Sequence, residues 1–492
     1  MSFPPFKVGF LAWFALIPLI ASLYHDDFHL GFGKGFLYGV FLNLGVLYWL
    51  GVNQGTYWYF SMLSMISSVI FLAIFYGLTA SVVGFIGRKF SKNVALMAFP
   101  FIFTSMEWLR TLGAMGFTWN NLCYTQSPYL PIIQIVSVIG PFGLSLWIYL
   151  LNILLFAIIV YWKEYRIKLS SIYVLVFLFP ILFGTLVLIG SKGNIKDKNN
   201  LTVTVVQPNM DPNEKWNRES YDGNMEILYT LSRQEVIDHQ SDLLVWPETA
   251  VPTYLRINRR NSLFDISNFA KEYSIALITG APDYRLKDKE YEYYNSVFYI
   301  NQKASKPDTY RKMHLVPFGE YIPMSETFED LKKLNLGQGN FIAGEEITVF
   351  KFRKNDYSIN MTSAICFDSG FPELIRQGVK KGSQLLAVVT NDAWFGNTSA
   401  PYLHAQISRF RAVENRIPVA RAANTGISMI IDKYGRVLTK SKFDEEIALT
   451  ATVEVGQEKT FYSQTGNWIG ILCVIVMSVF MSLTFFRRKN EN

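Results

Sequence analysis

The sequence predicts a polytopic α-helical membrane bundle joined to a layered α/β domain. Three observations predict it. Five long stretches, 8–24, 35–87, 111–162, 169–191 and 460–486, contain no Asp, Glu, Lys or Arg. Between 201 and 440, short apolar runs alternate with segments of helical pattern. The charge is also partitioned: residues 192–466 carry 34 Lys/Arg and 34 Asp/Glu, so the whole formal net charge of +7 sits in the most apolar parts.

A helix needs about 20 apolar residues to cross the hydrocarbon core. Spans are therefore expected near 8–24, 32–51, 57–87, 94–112, 131–161, 170–190 and 467–486. Half of the 492 residues are hydrophobic, which excludes a disordered chain. Three cysteines exclude a disulfide framework or a multi-Cys metal site. The five histidines are scattered, without an HExxH or a Cys pair, so no metal is expected. No GxGxxG or P-loop supports a nucleotide, and no cofactor is expected. The neutral polar part offers no basic patch for nucleic acid.

Orientation follows from Lys and Arg in short loops. Arg88, Lys89 and Lys92 fall between the third and fourth spans, Lys163, Arg166 and Lys168 between the fifth and sixth, and Arg487, Arg488 and Lys489 after the last. With all three clusters cytoplasmic, the polar domain is extracytoplasmic and the C-terminus cytoplasmic. Six spans before that domain then put the N-terminus outside as well. Residues 1–7 have no signal-peptide layout, with Pro4 and Pro5 in place of a basic region. Either the first span inserts with its N-terminus out, or an upstream helix precedes it.

Within the membrane part, Glu107 and Arg110 lie one turn apart and are expected to pair. Residues 112–130 are rich in Gly, Asn and aromatics, which suits either a re-entrant segment or an ordinary outer loop. The charged stretch 191–200 reads as a linker. The bundle is thus 1–190, the polar domain 201–459, and the last span with its tail 460–492.

In the polar domain, 201–209 reads as a buried strand ending in turn residues. Helices are expected at 220–239, 262–273, 372–381 and 401–414. Further strands are expected at 242–249, 274–282, 292–300, 357–367 and 384–396, with a hairpin at 426–437. The alternation argues for mixed sheets with helices layered on them. In such folds, function collects beyond the C-terminal ends of strands. Glu248 ends one strand, Cys366 ends another before a turn and helix, and Lys312 precedes Pro317. A Cys there is a plausible nucleophile, Glu a base for its proton, and Lys a partner for an oxyanion. Singly, each is more often a buried thiol, a solvated carboxylate or a surface cation. His314, two residues from Lys312, is read as structural rather than as a second base.

Together, VWPET (245–249), RKMHLVPFGEYIP (311–323), AICFDSGF (364–371) and NDAWFG (391–396) resemble the nitrilase (carbon–nitrogen hydrolase) superfamily. HLVPFGEYIP, TNDAWFG and a polar domain between membrane spans look like its apolipoprotein N-acyltransferase branch. The resemblance is strongest over 201–440 and weaker over 1–190. It implies an αββα sandwich for the polar domain. It also implies that Cys366 matches the nucleophile, Glu248 the general base and Lys312 the transition-state lysine. Glu320 matches a second glutamate that positions the triad, Trp216 a tryptophan near the mouth, and Asn295 a family Asn. Trp394, in NDAWFG, reads equally as loop structure or substrate contact. One departure stands out. Where the family commonly has Tyr-Glu after its Cys, this chain has Phe367 and Asp368, losing a hydroxyl and drawing the carboxylate about 1.5 Å closer to the backbone. The family also usually has one more helix at the start.

The implied activity is transfer of a fatty acyl chain from a phospholipid, through a Cys366 thioester, to the N-terminal amine of a diacylglyceryl-prolipoprotein. The alternative is a membrane-tethered amidase with water as the acceptor. A lipid-binding or transport protein with an inactive domain is a third reading, for which Glu107, Arg110 and Lys34 are the few intramembrane charges. The implied location is the bacterial inner membrane, and the expected state is a monomer.

Overall fold

A computed structural model of the chain describes residues 2–26, 29–191, 200–256, 262–301, 306–323, 340–354, 357–456 and 458–489. The chain divides into two compact units. One comprises Met1–Val52, Trp58–Gly193 and Thr465–Asn492, and the other Asn53–Tyr57 and Asn194–Gln464. The linker expected at 191–200 lies outside the described residues, except for its two ends.

The first unit is helical. Its helices are α1 (Ile17–His25), α2 (Gly31–Leu47), α3 (Trp58–Lys89), α4 (Lys92–Leu109), α5 (Leu130–Ile133), α6 (Val136–Val160) and α7 (Trp162–Gly190), and, at the far end of the chain, Trp468–Lys489. Among the described residues, four helical stretches are long and apolar enough to cross a membrane: Gly31–Val52, Trp58–Lys89, Val136–Val160 and Trp162–Gly190. The apolar stretches Gly9–His25 and Trp468–Thr484 are shorter. The expected span at 131–161 is broken: α5 ends at Ile133, and α6 bends at Gly140, whose φ is +66° beside Pro141. Lys163, Arg166 and Lys168 flank a kink at Tyr165, near the start of α7, where the backbone leaves helical geometry (φ −127°).

Gly31, Gly35 and Gly39 recur every four residues along α2 and let it approach α3 closely. A Cβ at Gly35 would sit 2.3 Å from the Tyr76 carbonyl oxygen, and one at Gly39 would sit 2.8 Å from Ala73 Cα. Small residues at this spacing are how apolar helices gain contact where lipid removes the hydrophobic drive. Residues 118–126 are buried inside the unit, so their polar groups need partners. Glu107 and Arg110 supply them and do not form an ion pair. Glu107 Oε1 accepts from the Leu122 amide (2.9 Å) and the Tyr149 hydroxyl (3.2 Å), while Arg110 donates to Asn121 Oδ1 (2.7 Å) and the Tyr76 hydroxyl (3.3 Å).

The second unit is an αββα sandwich. Its strands are β1 (Asn200–Gln207), β2 (Leu243–Val245), β3 (Ala276–Lys287), β4 (Glu290–Ile300), β5 (Asp308–Arg311), β6 (Phe350–Lys354), β7 (Tyr357–Ile365), β8 (Leu385–Thr390), β9 (Val419–Ala423), β10 (Met429–Ile431), β11 (Val437–Lys440) and β12 (Ile447–Glu454). They form two six-stranded sheets, ordered β12-β1-β2-β3-β4-β5 and β11-β10-β9-β8-β7-β6. Successive residues of a strand face opposite sides. Val203, Val205, Val245 and Ile278 therefore join Ile359, Met361 and Val389 in the core between the sheets. Leu244, Leu277 and Phe298 turn the other way, onto α8 (Ser220–His239) and α9 (Ser262–Glu272). On the second sheet, Leu386 and Val388 meet α10 (Pro372–Lys380) and α11 (Ser399–Asn415).

Two sequence expectations change here. The strand expected to end at Gly280 continues as β3 to Lys287, held by a long antiparallel pairing with β4. Residues 447–454, not read as a strand, pair antiparallel with β1 along its whole length.

Candidate active site

The first sheet presents the acid, amide and ammonium groups. Glu248 lies three residues beyond β2, just before Thr249, whose φ is +47°. Lys312 follows β5, and its amide donates to the Asn295 carbonyl oxygen at 2.9 Å. That bond extends the β4–β5 ladder, in which Ser296 faces Arg311, so Asn295 and Lys312 are opposed. Asn295 Nδ2 donates to Glu248 Oε1 (2.7 Å) and to Glu320 Oε1 (2.9 Å). Lys312 Nζ donates to Glu320 Oε1 at 2.9 Å and lies 2.8 Å from its other oxygen and 3.6 Å from Glu248 Oε1. Glu320 Oε2 also accepts from the Val316 amide (2.8 Å). All four side chains are buried.

The second sheet presents the thiol. Cys366 opens a short 3₁₀ turn directly after β7, at φ +49°. A left-handed conformation costs a non-glycine residue energy and is kept where its surroundings fix it. Cys366 Sγ lies within 4.8 Å of a carboxylate oxygen of Asp392 and of a ring nitrogen of His404. The two sheets are joined at the site. The Asn391 amide, beyond β8, donates to Glu248 Oε2 at 2.9 Å.

Asp368 forms the other join. Its carboxylate accepts from the Tyr310 hydroxyl (2.8 Å), the His314 amide (2.7 Å) and the Ile365 amide (3.2 Å). The shorter Asp thus ties the segment bearing Lys312 to the turn bearing Cys366. The His314 ring stacks on Phe371 at 3.8 Å, and its Nδ1 lies 3.6 Å from Asp368 Oδ1. Phe367 is buried edge-on against Phe371 at 5.1 Å.

The electrostatics are set by burial. Burial works against the Lys312 charge, but Glu320 and Glu248 outweigh it and hold the ammonium above its usual range. Burial and the Glu248 charge push the Cys366 thiol up, against a smaller opposing pull from Lys312. A thiol becomes the nucleophile once a base takes its proton. Burial also raises Glu248, with Lys312 opposing, which moves a carboxyl toward the range useful for proton transfer at neutral pH. The arrangement is suited to nucleophilic attack by sulfur, with a carboxylate taking the proton and a fixed cation meeting developing negative charge.

The sequence-expected residues Glu248, Lys312, Glu320 and Asn295 thus share one hydrogen-bonded group. Trp216 does not join them: its ring is half exposed and lies 5.7 Å from Lys215 Nζ. Sequence reasoning passed over Lys215 itself. It is buried, and its Nζ donates to the Thr249 hydroxyl, next to Glu248. Burial pushes its ammonium down to about 8. Asn391 falls in the NDAWFG motif, but its bond to Glu248 is not legible there, because it is made by the backbone amide, which carries no side-chain signature. Asp392, His404 and Arg421 form a further buried cluster behind the thiol. His404 Nδ1 is 2.8 Å from Asp392 Oδ1, and Arg421 donates to Asp392 Oδ2 at 2.7 Å.

Residues 202–460 match the carbon-nitrogen hydrolase family, and residues 1–154 match the apolipoprotein N-acyltransferase N-terminal domain. The chain is 34% identical over 497 residues to an apolipoprotein N-acyltransferase of Geobacter metallireducens, covering 100% of this chain and 94% of that protein. It is 29% identical over 511 residues to the enzyme of the same name from Chlorobaculum tepidum, covering 99% and 94%.

Proposed function

The chain belongs to the apolipoprotein N-acyltransferase family, and on that premise we propose that it moves a fatty acyl chain from a membrane phospholipid to the N-terminal amine of a diacylglyceryl-cysteine lipoprotein. What supports the reading most is Cys366 in its left-handed turn, with a thiol that feels the charges of Glu248 and Lys312, in a chain whose described residues include four helices suited to cross a membrane.

Glu248 takes the proton of Cys366, and the sulfur attacks the ester carbonyl carbon of the phospholipid. Lys312 stabilises the oxyanion, held by Glu320 so that its charge needs no rearrangement. The ester C–O bond breaks, and Glu248 returns the proton to the departing lysophospholipid oxygen. The acyl group stays on Cys366 as a thioester. The lipoprotein amine then attacks, loses its proton to Glu248, and leaves as an amide while the C–S bond breaks and the thiol reforms. Splitting one hard displacement into two easier ones is the gain of covalent catalysis. The Lys/Arg clusters at 88–92 and 163–168 support a cytoplasmic face there and an extracytoplasmic catalytic domain.

Intact-mass analysis after incubation with phospholipid tests the reading. An acyl adduct is expected on the unaltered chain and absent from Cys366→Ala; an adduct that survives the substitution overturns the assignment. Addition of a diacylglyceryl peptide should then give acylated amine. Free fatty acid in its place would mean that water is the acceptor.

A further inference from the structure

The mechanism above leaves one buried cluster without a role. His404, on α11, and Asp392, beyond β8, are both fully buried within reach of the nucleophile. A carboxylate accepts only, so the proton on the His404 ring that faces it sits on Nδ1. Asp392 is held in turn by Arg421 (2.7 Å) and by the Thr390 hydroxyl (3.1 Å). The ring is therefore fixed at one end. Its other nitrogen, Nε2, lies 2.9 Å from Ser369 Oγ and 3.1 Å from the Cys366 carbonyl oxygen. Ser369 Oγ also lies 2.8 Å from that carbonyl oxygen. Two polar groups thus close on the main-chain carbonyl of Cys366, the residue whose left-handed φ points the thiol.

We propose that His404 is a positioning residue for the nucleophile: anchored by Asp392, it grips the Ser369 hydroxyl and the Cys366 carbonyl and so holds the turn that presents Cys366 Sγ. Burial and Arg421 draw the ring toward neutrality while Asp392 opposes them. With the ring neutral and its proton on Nδ1, Nε2 accepts from the Ser369 hydroxyl, whose one proton is shared with the Cys366 carbonyl, and the hold on the turn runs through Ser369; a protonated Nε2 donates to the carbonyl directly. The cluster is also where soft and hard metal-ligand types meet, but Asp392 and His404 already direct their atoms at Arg421, Cys366 and each other. A misplacement of the reacting atom by about 1 Å costs about a hundredfold in rate, so a clamp on this backbone acts directly on the chemistry. The inference rests on Cys366 being the nucleophile of the proposed acyl transfer.

The test compares two polar substitutions in the full-length protein. His404→Gln places an amide near Nε2 and keeps the grip on the turn. His404→Asn places one near Nδ1 and keeps only the contact to Asp392. The readouts are the rate of Cys366 alkylation by iodoacetamide, the rate of acyl-adduct formation with phospholipid, and the melting temperature. His404→Asn is expected to slow both rates by at least about tenfold with the phospholipid KM unchanged, and His404→Gln to recover most of that loss. A simple packing role would lower both variants alike, and equal rates, or a faster Asn variant, overturn the proposal. If both variants fail to fold, Ser369→Ala decides: a loss of about threefold or more in alkylation rate is expected, and an unchanged rate overturns the clamp. If the alkylation order holds but the unaltered chain forms no acyl adduct, the acyl-transfer reading falls and the clamp stands. If the adduct forms normally and the order fails, only the clamp falls.

Discussion

The Tyr310 hydroxyl donates to Asp368 Oδ2 at 2.8 Å, tying the strand that leads to Lys312 to the turn that carries Cys366. Asp368 is fully buried, and the two amides it also accepts come from either side of the same junction. Replacing Tyr310 by Phe removes one donor and leaves the other two. Chemical or thermal denaturation should show a loss of about 1 kcal/mol, and acyl-adduct formation should slow more than stability alone explains. Asp368→Ala strands buried donors and should cost roughly 3 kcal/mol. An Asp368→Ala variant of unaltered melting temperature would remove this junction from the account.

Asn295 is the shared donor of Glu248 and Glu320, at 2.7 and 2.9 Å. The two carboxylates repel, and the amide bond to Glu248 favours its charged form. Asn295→Leu is isosteric in outline and removes that bond. Adduct formation at neutral pH should fall by about a hundredfold as the base is both misplaced and more often protonated. An Asn295→Leu variant within twofold of the unaltered chain would contradict the shared role.

The acid limb of adduct formation should report Glu248. As a base it acts ionised, so the rate falls as pH drops through its folded pKa. Burial sets that value above the ordinary carboxylate range, with Lys312 and Lys215 opposing. Lys215→Met removes one opposing cation, so the pKa rises further and the limb should move to higher pH. Rates measured across a pH series would refute this if the limb stayed in place or moved to lower pH.

Gly280, in β3, packs on the backbone of the base. A Cβ there would lie 2.5 Å from the Thr249 nitrogen and 2.7 Å from Glu248 Cα. Backbone atoms cannot swing aside as a side chain can. Gly280→Ala should therefore displace Glu248 and lower adduct formation by about a hundredfold, with a destabilisation of about 1–3 kcal/mol from overpacking. Normal kinetics in this variant would show that the turn adjusts freely.

The sequence by itself determined the two kinds of polymer and singled out the side chains that the proposed mechanism uses. Glu248, Lys312 and Cys366 are legible because reactive side chains at strand ends, in family motifs, keep their identity and order along the chain. The apolar stretches are legible because a membrane span is a local property of some 20 residues. The sandwich was foreseen through resemblance, and its helices through local periodicity. Tertiary structure alone decided the rest. That the 447–454 segment completes the first sheet depends on a partner some 250 residues away. That Asp368 serves as a junction depends on where Tyr310 and His314 fall in space. The roles of Lys215, Asn391 and His404 are not legible for the same reason: burial and backbone donors are created by packing, and neither leaves a mark at fixed spacing in the sequence. The separation of Glu107 from Arg110 has that cause too, since a buried loop whose amides need partners outcompetes a pair one turn apart.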